Sequence, residues 1–435
     1  MERIFGLISM VSLVILAVLF GIYAAFTQRF PAPEINVALR NFDVLWAQWF
    51  EEPISIVKPG RYVDYPVTAP ERASTGLLLV TAIDAEQRNF VDIIDRSGAS
   101  LHRWYVDWFD HGPDPGFVPE HRRPKVRPGG MLDGIVMLED GSLILNIDHL
   151  TTLRMDFCGE VMWQQKNLGH HFVVPARDGA VWVGAEVNPA FRNTRRIPNH
   201  SAATRDWTIQ KISVDGEILD ELNILDLIYE NDMLGLLHLS ALHNESTWAQ
   251  DDTLHLNDVD EFPDDLEPGV FQPGDLMVSL RNINAILVVD PVARKIKDLM
   301  LGPVLRHHDP EFLSGDRILI YDNRNLLPIP DPEVGRSRIV EYNFRTGAFA
   351  EAYQTEEIWF SQILGKQQLL PNGNLIVTVA TQGQAIEITP EGDIAWAWGN
   401  EIGEKGHALV TEVSELPPSM DRAFIDARKR GCPPG

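Results

Sequence analysis

The sequence predicts an all-β fold, a six-bladed β-propeller preceded by one N-terminal transmembrane helix. Three observations carry this. A hairpin module recurs along the chain, with turn glycines 61, 57 and 45 positions apart at Gly98–Gly159, Gly159–Gly216 and Gly347–Gly392. Eleven Trp and 29 Pro suit a turn-rich β-domain better than a helical bundle. The 23 residues from Ile4 to Phe26 carry no charge.

The apolar segment comes first. At ~1.5 Å per residue it makes a helix of about 34 Å, enough for a hydrocarbon core of ~30 Å. Signal peptides have a shorter apolar region, and Tyr23-Ala24-Ala25-Phe26 is a poor cleavage site, so an uncleaved anchor is expected. The α-amino group, with Glu2 and Arg3 before the segment and Arg29 after it, mildly favours a cytoplasmic N-terminus. The expected layout is an anchor over residues 1–30, a juxtamembrane segment over 31–74, a propeller over 75–400 and an extension over 401–435. Apolar residues at helical spacing between Ile35 and Phe50 predict a short helix packing on the main domain. The localisation that follows is a bacterial inner membrane, single-pass, with the propeller in the periplasm.

The module has two parts. The first is a β-rich run broken by a tight turn, as in Leu138-Glu-Asp-Gly-Ser-Leu-Ile-Leu145 and Leu370-Pro-Asn-Gly-Asn-Leu-Ile-Val377. Asp-Gly and Asn-Gly supply the positive φ that such hairpins need. The second is a later turn leading into a strand, as in Asp156-Phe-Cys-Gly159 to Trp163. A degenerate copy has Asp290-Pro-Val-Ala293 where Gly is expected. Six copies with room for four short strands each define a propeller, because radial stacking covers sheet faces that a lone sheet exposes. The stretches Asn188–Arg205 and Asp258–Gly274 read as inserted loops.

Hydrophobic residues make up 45% and charged residues 23%, which excludes a disordered chain and a multi-span membrane protein. The net charge of −25 repels phosphate backbones, so no nucleic-acid partner is expected. There are two cysteines, Cys158 and Cys432, and no CxxC, which removes a cysteine-based zinc site. The sequence leaves open whether they pair, and it carries no signal for oligomeric state.

In a propeller the innermost strand of each blade lines the channel. Counting eight positions back from the turn gives Asp133, His171, His308 and Gly365 in four modules, and His255 takes the place by pattern in a fifth. Three histidines at one module position predict channel chemistry, since imidazole serves as acid, base or nucleophile near neutral pH. They could also hold a metal. No carboxylate is spaced as a fourth ligand, so neither metal nor other cofactor is expected. Arg281 and Arg324 end strands near one mouth and suit sulfate or phosphate oxygens, with Asn257, Asn282 and Asn323 as further donors. The acidic run Asp258–Glu267 reads as a solvated loop rather than a calcium site.

Several segments carry a resemblance: His243-Asn-Glu-Ser-Thr-Trp248, Asp252-Thr-Leu-His255-Leu-Asn-Asp-Val259, Gly274-Asp-Leu-Met-Val-Ser-Leu-Arg281, His307-His308-Asp-Pro-Glu-Phe-Leu313 and Gln368-Leu-Leu-Pro-Asn-Gly-Asn374. Together the chain resembles the PAPS-independent arylsulfotransferase family, in a membrane-anchored branch. The resemblance implies transfer of a sulfuryl group from an aryl sulfate to a phenol through a transiently sulfated histidine. It implies catalytic roles for His255, His308 and Arg324; the channel and mouth positions add His171, Asn257, Arg281 and Asn323 as expected substrate contacts. The family nucleophile is expected later in the propeller, where this chain has Gly365. Trp248 and Phe312 could stack a phenol or pack in the core. A non-catalytic binding propeller and a metal-dependent hydrolase are the competing readings.

Overall fold

The computed structural model describes residues 12–21, 23, 63–112, 116–187, 205–239, 252–324, 336–403 and 406–433. The chain divides into two units, residues 1–56 and 57–435. In the first, residues 12–21 are helical. Much of the predicted span Ile4–Phe26 lies outside the described residues, as do the predicted helix Ile35–Phe50, the loop 188–204 and Trp248. Among the described residues no helix is long and apolar enough to cross a membrane.

The second unit holds six four-stranded antiparallel sheets. Their innermost strands are Val410–Glu415 in blade 1, Leu132–Met137 in blade 2, Gly169–Pro175 in blade 3, Leu256–Glu261 in blade 4, His308–Ser314 in blade 5 and Lys366–Leu369 in blade 6. Each packs on the next, and Val410–Glu415 packs on Leu132–Met137, so the ring is closed. The six-bladed propeller expected from the repeat is therefore the fold.

Closure uses the two ends of the second unit. Leu78–Ile83, Asn89–Ile94 and Ser100–Tyr105 form the outer three strands of blade 1, and Val410–Glu415 pairs with Leu78–Ile83 to complete it. The ring thus takes a strand from residues that the repeat count set apart as an extension. No turn glycine of the module marks that strand, so periodicity alone does not include it. Beyond it, Asp421 accepts the amide of Phe424 at 2.9 Å and caps the helix Arg422–Gly431. That helix buries Ile425, and the cysteine after it, Cys432, is disulfide-bonded to Cys158 in the outer turn of blade 2.

The blades are joined by apolar packing between sheets. Phe172 and Trp207 of blade 3 pack with Leu256, Leu276 and Val278 of blade 4 in one buried cluster. Phe312 packs edge-on to Phe262 and Phe271, with ring centroids 5.0 and 4.9 Å away, so it belongs to the core. Truncating such a side chain to Ala typically costs about 3–5 kcal/mol.

The stretch expected as a loop from Asp258 begins as strand. Leu256–Glu261 is the innermost strand of blade 4, with Asp258 buried. Acidic residues read as solvated in sequence; here the ring wall removes them from bulk water, and Lys366 compensates, 3.4 Å from Asp258 and 2.6 Å from Asp309.

Candidate active site

Four of the innermost strands begin with a slip in register. It falls between Leu132 and Ile135, Gly169 and Val173, Leu256 and Asp258, and His308 and Glu311. A left-handed residue lies at or next to each slip: Gly134 (φ 80°), His171 (φ 57°), His255 (φ 52°) and Asp309 (φ 42°). Blade 6 has Gly365 in this place, with φ 116°. An extra residue at a bulge re-aims the side chains beside it. At Gly365 a Cβ would lie 2.5 Å from the Tyr321 ring, so no side chain fits. The absence of a histidine there follows from packing.

The residues reached by the eight-residue count lie near one another. Asp133, His171, Asn257, His308, Asp309, Gly365 and Lys366 line one small cavity. His171 Nε2 lies 2.8 Å from His255 Nε2, and the His171 and His308 ring centroids are 6.1 Å apart. His170, next in sequence, has its ring centroid 3.9 Å from that of His171 and 5.2 Å from that of His255.

Each imidazole is oriented from behind. His170 Nδ1 lies 2.6 Å from Asp148 Oδ1, and His171 Nδ1 lies 2.6 Å from Asp133 Oδ2. His255 Nδ1 contacts Asp252 Oδ2. For His308 the partner is an amide: Nδ1 is 2.6 Å from Asn323 Oδ1. Asn323 Nδ2 donates to the carbonyls of Ser361 at 2.9 Å and Leu364 at 2.7 Å. Carbonyls only accept, so the amide cannot be turned round. Its oxygen faces His308, whose Nδ1 must carry the proton. His308 Nε2 is then a bare lone pair, buried and without a hydrogen-bond partner among the described residues.

Protons in the other chain can be counted. Three contacts link Asp133, His171, His255 and Asp252, and each needs one proton. Two neutral imidazoles supply two. Burial pushes the Asp133 carboxyl up to about 7, so the third can rest there near neutral pH. Burial also pulls His171 down to about 3 and holds His170, His255 and His308 well below the usual imidazole range. The Arg281 guanidinium adds to the depression at His255 and His308. These imidazoles are neutral at physiological pH and available as bases or ligands.

The sequence-predicted residues divide clearly. His171, His255 and His308 meet. Arg281 lies close enough to depress all three, and burial brings its own value down to about 10. Its backbone N–H donates to the His255 carbonyl at 3.0 Å. Asn257 is a positioning residue, donating to the His307 carbonyl at 2.7 Å and accepting from Ser279 at 2.7 Å. Asn323 sets the His308 tautomer. Arg324 is half-buried, and among the described residues no hydrogen bond or ion pair joins its side chain to the histidines. Sequence reasoning missed His170, Asp148, Asp252 and Lys366 as site residues. The doublet His170-His171 and the spacing Asp252-x-x-His255 were the available signals.

Residues 134–401 match the arylsulfotransferase (ASST) family, which is more than half of the chain. The chain belongs to the arylsulfotransferase family. Its function is accordingly aryl sulfotransferase-like, with aryl sulfates and phenols as the substrate classes. No curated protein matches it significantly. Among solved structures it is similar to a protein of unknown function from Bacteroides caccae, at 11% identity and TM-score 0.48, covering 78% of this chain and 98% of that one. It is also similar to hydrazine synthase from Kuenenia stuttgartiensis, at 11% identity and TM-score 0.40, covering 77% and 80%. A third is virginiamycin B lyase from Staphylococcus aureus, at 13% identity and TM-score 0.34, covering 67% and 86%. At these values the likenesses carry no functional information.

Proposed function

We propose that this family member transfers a sulfuryl group from a phenolic sulfate ester to a phenolic acceptor, with His308 as the nucleophile. The observation that supports it is the bare Nε2 of His308, fixed by Asn323 and turned towards no protein partner. In the first half-reaction the Nε2 lone pair forms a bond to sulfur as the ester S–O bond breaks. The departing phenolate takes a proton from the His255–His171–Asp133 chain. In the second, the acceptor phenol returns a proton to that chain, its oxygen bonds to sulfur, and the N–S bond breaks. Arg281 offsets charge on the sulfuryl oxygens. Fixed donors aimed at developing charge are commonly the largest contribution in such transfers.

The same proposal puts the propeller outside the cytosol, in a periplasmic space, tethered by residues 4–26. The Cys158–Cys432 disulfide supports an oxidising compartment.

The test is exchange between 4-nitrophenyl sulfate and phenol, with isolation of the sulfated enzyme. Release of nitrophenolate that depends on His308 is the expected result. No exchange by the wild-type protein would favour a binding propeller without catalysis.

A further inference from the structure

One ring nitrogen from each of His170, His171 and His255 lies within 4.8 Å of the other two. All three residues are buried. Each has its Nδ1 on a carboxylate: Asp148, Asp133 and Asp252. This arrangement fixes each ring and leaves Nε2 as the nitrogen free to bind a cation. Two of those nitrogens, on His171 and His255, face each other at 2.8 Å, a contact that holds either one shared proton or a cation. The third, on His170, is buried and has no hydrogen-bond partner among the described residues.

We propose that His170, His171 and His255 form a binding site for a zinc-class divalent transition metal. One cation would satisfy all three lone pairs at once. Imidazole nitrogens bind such ions at about 2.0–2.1 Å, which puts two ligands of a tetrahedral centre roughly 3.3 Å apart. The 2.8 Å contact between His171 and His255 reaches that spacing with a small opening. Three carboxylates stand behind the ligands, against the opposing cations Arg281 and Arg205, which lie in the same region. The donor set is all nitrogen, which suits zinc, copper, nickel or iron and disfavours magnesium and calcium. Three protein ligands leave a fourth position for water or substrate, the pattern of catalytic rather than structural sites.

The site overlaps the proposed sulfuryl-transfer centre but does not rest on that reading. Occupation displaces the single proton shared by His171 and His255. A phenol oxygen in the channel then meets a Lewis acid where the metal-free protein offers a proton. The sequence pointed away from this, because it sought a carboxylate as fourth ligand. The carboxylates lie behind the imidazoles, one on each.

The experiment is metal binding by the full chain, with no aryl sulfate present. Protein stripped with a chelator is titrated with zinc, and bound metal is counted by elemental analysis. Cobalt is the second probe, since a tetrahedral site gives it an intense visible absorption. The expected result is one equivalent per chain, with affinity reduced about 10²-fold or more by His170→Ala. Asp148→Asn keeps all three ligands and should weaken binding about 10–100-fold, the usual effect of removing a carboxylate behind a ligating histidine; it decides the matter if His170→Ala misfolds. Substoichiometric zinc in the wild-type protein overturns the proposal and leaves only a shared proton between His171 and His255. Uptake unchanged in both variants overturns it equally. Neither result bears on sulfate exchange, which is measured separately.

Discussion

His308 and Asn323 lock each other. The imidazole Nδ1–H donates to the amide oxygen at 2.6 Å, and the amide cannot flip because its nitrogen is held by the carbonyls of Ser361 and Leu364. The link runs from blade 5 to the loop that enters blade 6, so the His308 ring is oriented by two blades.

Removing that lock is the first prediction. Asn323→Ala should lower exchange by about 10-fold or more while leaving the sheet content unchanged. A loss through tautomer shows in ¹⁵N chemical shifts, where His308 should change from the Nδ1–H form to a mixture. Retention of the Nδ1–H form alone would assign the lost rate to another cause.

Loss of the nucleophile itself is larger. His308→Ala should reduce turnover by ~10²-fold or more, and no sulfated protein should be trapped. Arg281→Met should reduce it by ~10²–10³-fold, the scale of losing one charge-stabilising donor. Arg324→Ala should cost less than Arg281→Met, given where the two side chains lie. The Arg281→Met and Arg324→Ala rates measured side by side rank the two cations directly.

Acidity should affect stability through the far end of the channel. Burial pushes the Glu412 carboxyl up to about 7, with Asp309 and Asp133 adding to the rise and Lys366 opposing it. A carboxyl raised in the folded state stabilises fully below its unfolded value of 4.5 and loses that contribution as pH climbs through about 7. The melting temperature should therefore fall between pH 5 and pH 8. Glu412→Gln should flatten the fall and raise stability at pH 8, by up to roughly 3 kcal/mol. A profile identical to wild type would place the pH dependence elsewhere.

Gly365→Ala should destabilise the ring by on the order of 2–4 kcal/mol, from a left-handed backbone and a Cβ pressed on Tyr321. Denaturant midpoints of the variant and of wild type check this.

Cys158→Ser should cost about 3–5 kcal/mol, since the bond closes a loop of 274 positions. Its effect should fall on thermal stability and leave the histidine cluster intact, because the bond lies in an outer turn. An exchange rate lowered in step with stability would contradict that separation.

The parts legible in sequence were those marked by backbone chemistry. Turn glycines such as Gly141, Gly179 and Gly373 announce tight hairpins, and counting back from them reaches the channel at Asp133, His171 and Gly365. His255 and His308 followed from the same alignment. What stayed hidden depends on tertiary geometry. Asp148 acts through His170, 22 positions away, and Asp133 through His171, 38 positions away, pairings that only the folded ring makes. Lys366 follows a glycine and looks like any surface lysine until the channel forms around it. The acidic strand Leu256–Glu261 resembles a solvated loop because sequence cannot show that its aspartates share a cation from another blade. Arg281 and Arg324 end equivalent strands, and nothing in their sequence context separates them.

Blade 1 joins residues 78–105 to residues 410–415. During synthesis from the N-terminus, five sheets can assemble as they emerge, while the first waits with a bare edge. The histidine face is assembled from blades 2 to 5, so it can take shape before the circle shuts. Until Val410–Glu415 arrives, the strand Leu78–Ile83 is open to pairing with any other extended chain. The protein is thus most exposed to misassembly in the interval just before its last strand is delivered, and a chaperone would protect it most at that moment.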